Sequence, residues 1–320
     1  MECWILYDGE AESSGPGAYE VRRFIEAGKR QNINVTVFRP EQFELVVTQD
    51  DRDSILVNGQ TAQLPDFILP RISGHVNYFT LAVIRHLERL GVQAFNGSET
   101  IDAVKDKLHT QQILAENNIP VPATMLAKFP CDTEIVERIF DFPLVVKTLV
   151  GTHGNGVFLC ETKEKLKDIM ELLKETKPDI QMIFQEFISY SHGRDLRVFV
   201  IDGEAVAAMQ RTAQDGSFKA NASRGAKVEQ YPMNEEIRQL AIDSARTLNL
   251  DIAGVDILFD GQGGYKICEA NVAPDFRALE SCCNISIADE ILSSISRRLK
   301  KQQGDESVFS FPTLARQQVS

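Results

Sequence analysis

The chain's 320 residues, 43% of them hydrophobic and 25% charged, exceed what one ordinary core holds, so two or three domains with ample apolar content to bury are expected. Lys and Arg number 34 against 46 Asp and Glu, and the formal charge of −12 excludes a general nucleic-acid surface while leaving room for a local basic pocket around a small anion. The six cysteines show no Cys-x-x-Cys spacing and the adjacent Cys282 and Cys283 make poor partners for each other, which points to reduced thiols in a cytoplasm; no stretch approaches the length of a membrane span.

From the N-terminus, Trp4 to Tyr7 reads as a first strand, and with no basic residues ahead of it the lead is not a signal peptide. Tyr19 to Ala27 has helical spacing, and Asn34 to Phe38 and Phe67 to Arg71 read as further strands of a parallel α/β unit. Gly9 and Gly15-x-Gly17 lack the Gly-x-Gly-x-x-Gly spacing of a dinucleotide site. Arg71 stands at a strand end, where ligands of open α/β sheets bind, with a surface arginine as the alternative. His75, in the following loop, has no second histidine at metal spacing. Phe79 to Gly91 is a helix, Phe95 to Ser98 a turn closing a first domain, and Ser98 a cap for the next helix. A second helical stretch, carrying Lys107 as a candidate phosphate ligand, reaches Glu116.

Pro143 to Lys147 is an apolar strand with one lysine, which needs an anionic partner to justify its desolvation. Gly151, Gly154 and Gly156 follow it. Their amides can approach and wrap oxygen atoms as a flap over phosphates; a plain glycine turn is the alternative. Met182 to Ile188 is another strand, whose Gln185-Glu186 pair would read an adenine and a ribose, or which is simply an edge strand. Gly193 to Val200 and Glu204 to Gln210 form a hairpin about Asp202-Gly203, with Asp195 and Arg197 two apart on one face and able to pair. Arg211, Lys219, Asn221 and Arg224 then mark either a solvated loop or a clamp for anions. Asn234 to Asn249 and Ile287 to Lys300 are helices, and the polar tail from Gln302 is expected to be flexible.

Between those helices, Gly254 to Asp260 and Tyr265 to Asn271 flank Gly261-Gln262-Gly263-Gly264, a β-hairpin pattern. With a four-residue loop Asp260 faces Tyr265, so Asp256 lies opposite Glu269, and Asn271 follows on the same face. Carboxylates held side by side repel unless a cation sits between them, and oxygen donors of this kind suit Mg²⁺; a solvated edge hairpin is the alternative.

In this order, a strand lysine, a glycine flap, an adenine-reading strand and a carboxylate/carboxylate/amide set resemble the ATP-grasp superfamily. Over nearly the whole chain, Asp106-Lys107-Leu108, the Pro143-to-Lys147 strand with its glycine loop, Gln185 to Ile188, Gly193 to Arg197, Asn221 with Arg224-Gly225, Ala253 to Leu258 and Glu269-Ala270-Asn271 are similar to the RimK-type amino-acid ligases. The resemblance implies an α/β and α+β chain: an ATP-grasp fold behind an N-terminal pre-ATP-grasp parallel α/β domain. The segments would be 1–97 for that domain, 98–188 and 189–301 for the central and C-terminal ATP-grasp subdomains, and 302–320 for the tail. It implies that Lys107 and Lys147 contact phosphates, and that the Glu186-Phe187-Ile188 segment holds adenine, with Gln185, Asp195 and Arg197 also assigned to the nucleotide site. Asp256, Glu269 and Asn271 would bind two Mg²⁺ ions, with Mn²⁺ as a substitute.

The activity implied is ADP-forming ligation through an acyl phosphate, with Lys147 and Arg211 aimed at the phosphoryl oxygens and oxyanion, Asn221 and Arg224 orienting substrate, and Arg71 holding a substrate carboxylate. Glutamate as the amine and a small acid, peptide or protein tail as its partner are expected, in a homo-oligomer, dimer or tetramer. Two other classes stay open: a nucleotide-binding regulatory module without turnover, and a small-molecule kinase. One departure bears on the substrate: where ribosomal-protein-modifying members carry Ser-Pro-Gly, this chain has Ala273-Pro274-Asp275. Ser191-His192-Gly193 and Cys268 to Asn271 look more like the relatives that join glutamate to N-acetylaspartate or citrate, and Arg224-Gly225 like the ribosomal type.

Overall fold

A computed structural model describes residues 1–49, 54–72, 76–149, 156–176, 180–222, 225–261 and 263–308, with side chains to residue 302. Ser73 to His75, Gly151 to Asn155, Arg224 and Gln262 lie outside the described residues.

Strand β1 (Glu2–Leu6) is buried on nearly every residue, as a central parallel strand must be. It is followed by α1 (Ala18–Gln31), which buries Val21, Phe24 and Ala27 along one stripe. Then come β2 (Asn34–Phe38), three short antiparallel strands β3 (Phe43–Leu45), β4 (Ile55–Val57) and β5 (Gln60–Thr61), β6 (Phe67–Pro70), α2 (Tyr78–Arg89) and β7 (Gln93–Ala94). The main sheet runs β2-β1-β6-β7, all parallel, which is the α/β unit expected. Sequence reading did not find the β3-β4-β5 sheet. Such two- and three-residue strands carry too little alternation to be seen.

Helices α3 (Ser98–Lys105) and α4 (Lys107–Glu116) come next. Ser98 is not the cap expected of it. Gly97 occupies that position, and the Ser98 hydroxyl instead donates to Glu88 Oε2 at 2.5 Å. A second sheet, of order β10-β9-β11-β8, is built from β8 (Thr124–Leu126), β9 (Leu144–Thr148), β10 (Val157–Cys160) and β11 (Met182–Glu186). Its apolar face is covered by α5 (Thr133–Ile139) and α6 (Lys163–Thr176) around Val136, Leu144, Val146, Leu166 and Phe184.

The third sheet has the order β14-β13-β12-β15-β16, from β12 (Arg194–Ile201), β13 (Glu204–Thr212), β14 (Lys227–Gln230), β15 (Ile252–Phe259) and β16 (Tyr265–Asn271), with α7 (Glu235–Thr247) between β14 and β15. Asp202 and Gly203 both take positive φ, 50° and 80°, as the two-residue hairpin loop requires. One face of this sheet packs on α7 together with Val104, Leu114 and Ile119 of the α3–α4 region. The other face shares a core with the N-terminal sheet: Phe199, Met209, Ile252 and Phe276 join Ile5, Phe24 and Leu69. Into that core run α8 (Arg277–Cys282) and α9 (Ile287–Val308), the latter lying along α1. All six cysteines carry free thiols. Among the described residues no helix is long and apolar enough to cross a membrane.

Candidate active site

Residues two apart on a strand share a face, and so do cross-strand partners. The observed pairs Asp195–Arg211, Arg197–Asp256, Asp256–Glu269 and Gly254–Asn271 therefore put Arg211, Asp195, Arg197, Asp256, Glu269 and Asn271 on one face of the third sheet. Asp256 does stand opposite Glu269, but by a different route from a four-residue loop. Phe259, and not Asp260, pairs with Tyr265, because Asp260 accepts from Gly263 N and donates to Gly264 O within the turn. The one-residue slip is then reversed by a bulge after Asp256 in which Cys268 is the extra residue.

The charged residues form a lattice. Arg197 donates to both oxygens of Asp256 at 2.7 Å, and Arg211 to both oxygens of Asp195 at 2.7 Å. Arg211 Nη2 also lies 3.0 Å from Asp256 Oδ2. Asp195 and Arg197, two apart on one face and able to pair, each find a partner on a neighbouring strand instead, where the two-toothed fork can meet a carboxylate edge on. Burial alone would raise the Asp256 carboxyl, but Arg197 and Arg211 hold it well below the usual carboxylate range. Burial disfavours charge on Arg211, yet Asp256 and Asp195 outweigh it and raise its pKa. Burial pushes Asp195 up despite Arg211.

Glu269 and Asn271 remain outside the lattice. Glu269 is half-buried, and its carboxylate has no hydrogen bond or ion pair among the described residues. Asn271 Nδ2 donates to Gly254 O at 3.2 Å, which leaves its amide oxygen directed elsewhere. Among the described residues no three His, Cys, Asp or Glu come close enough to hold a metal unaided. The donors fit Mg²⁺ as a cation bound by one or two carboxylates, an amide oxygen and oxygens of a phosphate substrate, the way this ion is usually held. Asp256 would join through lone pairs that its arginines do not use.

The second sheet faces this set. Its register puts Lys147, Val145, Ile183 and Gln185 on one face. Lys147 is 9% exposed, and its Nζ donates to Cys268 Sγ at 3.7 Å. The Cys268 thiol is pushed up to about 11 by burial, so it meets Lys147 as a neutral group. Lys107 Nζ donates to Leu149 O at 3.1 Å. Burial lowers its pKa, and nearby Lys147 adds to this while Glu269 opposes it. Gly156, at φ +72°, accepts Thr148 N through its carbonyl at 2.8 Å. A Cβ there would stand 2.2 Å from Thr148 Oγ1, so only glycine closes this end of the loop. Gly151 and Gly154 lie outside the described residues.

The Gln185 amide donates to Thr124 Oγ1 at 2.8 Å and is 3% exposed, so its polar end is already engaged inside the sheet. Glu186 accepts from Ala123 N at 3.1 Å and from Lys266 Nζ at 2.9 and 3.0 Å. Phe187 stands edge-on to His192 and Phe218, and Ile188 is buried. Arg71 is 5% exposed and donates to Pro274 O at 3.0 Å, so it is not a surface arginine. Asn221 is half-buried without a hydrogen bond among the described residues, and Arg224 lies outside them.

Sequence reasoning missed Lys266, Cys268 and Gln111, whose Nε2 holds the bulge by donating to Cys268 O at 3.0 Å. For Lys266 a signal existed: it is a cation in a half-buried strand close to the Glu186 strand's acid. For Gln111 none did, because it reaches the site only through the packing of α4 on β16.

Residues 104–295 match the RimK-like ATP-grasp domain and residues 12–101 the RimK PreATP-grasp domain. The chain belongs to the RimK-like ATP-grasp family. A "Probable alpha-L-glutamate ligase" of Shewanella pealeana is 34% identical over 288 residues, 90% of this chain and 62% of the relative. One of the same name from Legionella pneumophila is 37% identical over 242 residues, 75% of this chain and 79% of the relative. The chain thus spans 62% of the length of the Shewanella protein. The fold is that of the ATP-grasp ligase PsnB complexed with minimal precursor, Mg and ADP (TM-score 0.71, 20% identity, covering 93% of this chain and 98% of that one). It is also that of the D-alanine–D-alanine ligase of Bacillus anthracis complexed with ATP (TM-score 0.65, 16% identity, covering 95% and 99%). In this chain the residues that match the pre-ATP-grasp domain hold most of the parallel sheet, and those that match the RimK-like ATP-grasp domain hold the second and third sheets.

Proposed function

We propose that this RimK-like chain is an ATP-dependent carboxylate–amine ligase that adds glutamate or a similar amino acid to a small acid, peptide or protein tail, in a cytoplasm. The observation that carries the reading is the meeting of Lys147 on the second sheet and Lys107 at the start of α4 with Cys268, Glu269, Asn271 and Asp256 of the third sheet. An acid oxygen attacks the γ-phosphorus of ATP and ADP leaves. The amine then attacks the acyl carbon, inorganic phosphate leaves with the C–O bond's electrons, and the amine loses a proton. Lys147 and Lys107 would neutralise phosphate oxygens, whose charge is what a phosphoryl-transfer site must stabilise. Segment 186–188 would hold the adenine. Arg211, with Arg197, would keep Asp256 ionised and in place. Asn221 and Arg224 would orient substrate. Mg²⁺, as one or two ions and with Mn²⁺ as a substitute, would be held by Glu269, Asn271 and Asp256 and would neutralise the polyphosphate.

The relatives' printed name supports glutamate, and the length they have beyond this chain is why the acceptor is proposed by class. The test is ADP release with a panel of acids, with and without L-glutamate, and mass spectrometry for an amide product. Product that needs both substrates supports the ligase; a phosphorylated acid made without amine points to the kinase, and silence with every pair to the regulatory module. Glu269→Gln is the cleanest site probe, because the Glu269 carboxylate makes no hydrogen bond or ion pair among the described residues. It should reduce turnover at least about a hundredfold with an unchanged melting temperature. Asp256→Asn is less clean, since breaking the buried lattice costs about 3 kcal/mol of stability by itself.

A further inference from the structure

The N-terminal parallel sheet ends on three polar side chains: Glu20 in the first turn of α1, Arg71 just past β6 and Asn96 just past β7. In open α/β sheets this edge, beyond the carboxyl ends of the strands, is where a ligand binds. Here it holds the chain's own segment 272–277. Asn96 Nδ2 donates to Val272 O at 2.7 Å and to Ile252 O at 2.8 Å, while its Oδ1 accepts from Asp251 N and Ile252 N, so the whole amide is used. Arg71 donates to Pro274 O, with its guanidinium carbon 6.0 Å from the ring centres of both Phe24 and Phe276. Glu20 Oε1 accepts from Phe276 N at 2.9 Å and Arg277 N at 3.1 Å. From the opposite side Gly254 admits Pro274: a Cβ on Gly254 would stand 2.6 Å from Pro274 Cβ.

The three side chains are 2%, 5% and 1% exposed. Burying a carboxylate, a guanidinium and an amide is costly; Glu20 also satisfies the first N–H groups of α8, but Arg71 and Asn96 hold carbonyls of Pro274 and Val272, which lie ahead of that helix. The segment so held starts one residue after Asn271, and therefore borders the reacting end of the site. We propose that Glu20, Arg71 and Asn96 are positioning residues: they seat Val272 to Asp275 against Gly254 and so set substrate affinity, without touching nucleotide. For its substrate this rests on the ligase reading; for its geometry it does not.

Glu20→Ala, with Glu20→Gln as the conservative variant, tests it in two ways. By hydrogen exchange, the Phe276 and Arg277 amides should exchange at least about tenfold faster in Glu20→Ala, with β15 unaffected and Glu20→Gln near wild type. By ADP release with L-glutamate and the dipeptide L-glutamyl-L-glutamate, Glu20→Ala should raise the KM for these substrates about tenfold and leave that for ATP within about twofold, with Glu20→Gln restoring it. Unchanged exchange, parallel rises in both KM values, or no rescue by Gln overturns the proposal. If the wild type makes no amide from this pair, the ligase reading fails for the pair and the exchange result alone decides. Should Glu20→Ala not fold, Arg71→Lys, which keeps the charge and loses the planar fork, supplies the same KM comparison.

Discussion

Lys107 is the side chain whose surroundings bear most directly on the proposed phosphate site. It is partly desolvated, with Lys147 disfavouring its charge and Glu269 favouring it, and the balance lowers its pKa. A polyphosphate would reverse the balance, so binding Mg²⁺-AMPPNP should take up a proton, and affinity should fall as pH rises, beginning below the range of a solvated lysine. Calorimetric titration in two buffers of different ionisation enthalpy measures the uptake. In Lys107→Arg, which stays charged throughout, uptake and pH slope should both be smaller; equal uptake in the two proteins would remove Lys107 from the phosphate site. At this scale the sequence was legible where a polar residue interrupts an apolar strand: Lys147, Asp256, Glu269 and Asn271 stand out so. It was silent on which charge meets which. The partners Asp195 and Arg211 belong to adjacent strands, and Arg197 reaches Asp256 across 59 positions of chain.

The elements that could be read were those with an unmixed period. Helices α1, α2 and α7 each bury one stripe, while β1, β6, β12 and β15 bury both faces as nearly continuous apolar runs. Helix α4 was harder to place, since its buried positions Thr110, Gln111 and Leu114 are mostly polar and reveal neither a stripe nor a partner. The bulge at Cys268 was invisible because a slip at the turn and an extra residue in the strand cancel, leaving the inferred pair intact for the wrong reason. The start of α9 offers a test of an element boundary. Ser286 Oγ donates to Asp289 at 2.5 Å, and Arg30 and Gln31 of α1 donate to the same carboxylate at 2.6 and 3.2 Å. Burial would raise the Asp289 pKa, but these bonds bring it down to about 2 from 3.8. A depressed folded value means stability that is present above the unfolded pKa and lost as pH falls through the folded one. Asp289→Asn should therefore cost about 1 kcal/mol at pH 7, after allowance for solvent screening, and clearly less near pH 2. Urea unfolding at the two pH values measures it, and a cost that persists undiminished in acid would contradict the assignment.

Across the whole molecule the apolar cores divide unequally. The N-terminal sheet and the third sheet share one, through Phe24, Phe276 and α9, whereas the second sheet with α5 and α6 keeps its own. Polar contacts do much of the bridging between the second sheet and the rest: Lys266 to Glu186, Lys107 to Leu149 O, and Lys147 to Cys268. Calorimetry without nucleotide should accordingly show two transitions, the smaller and earlier one belonging to the second sheet. Mg²⁺-AMPPNP at about a hundred times its Kd would stabilise that unit by about 2.7 kcal/mol and draw the transitions together. A single transition that nucleotide shifts as a whole would mean one cooperative body. The separate core has a consequence for turnover of the protein itself. A unit that opens on its own, and is closed by a nucleotide, exposes its backbone to proteases in proportion to the fraction left empty, so the lifetime of the chain in a cell would follow the supply of ATP.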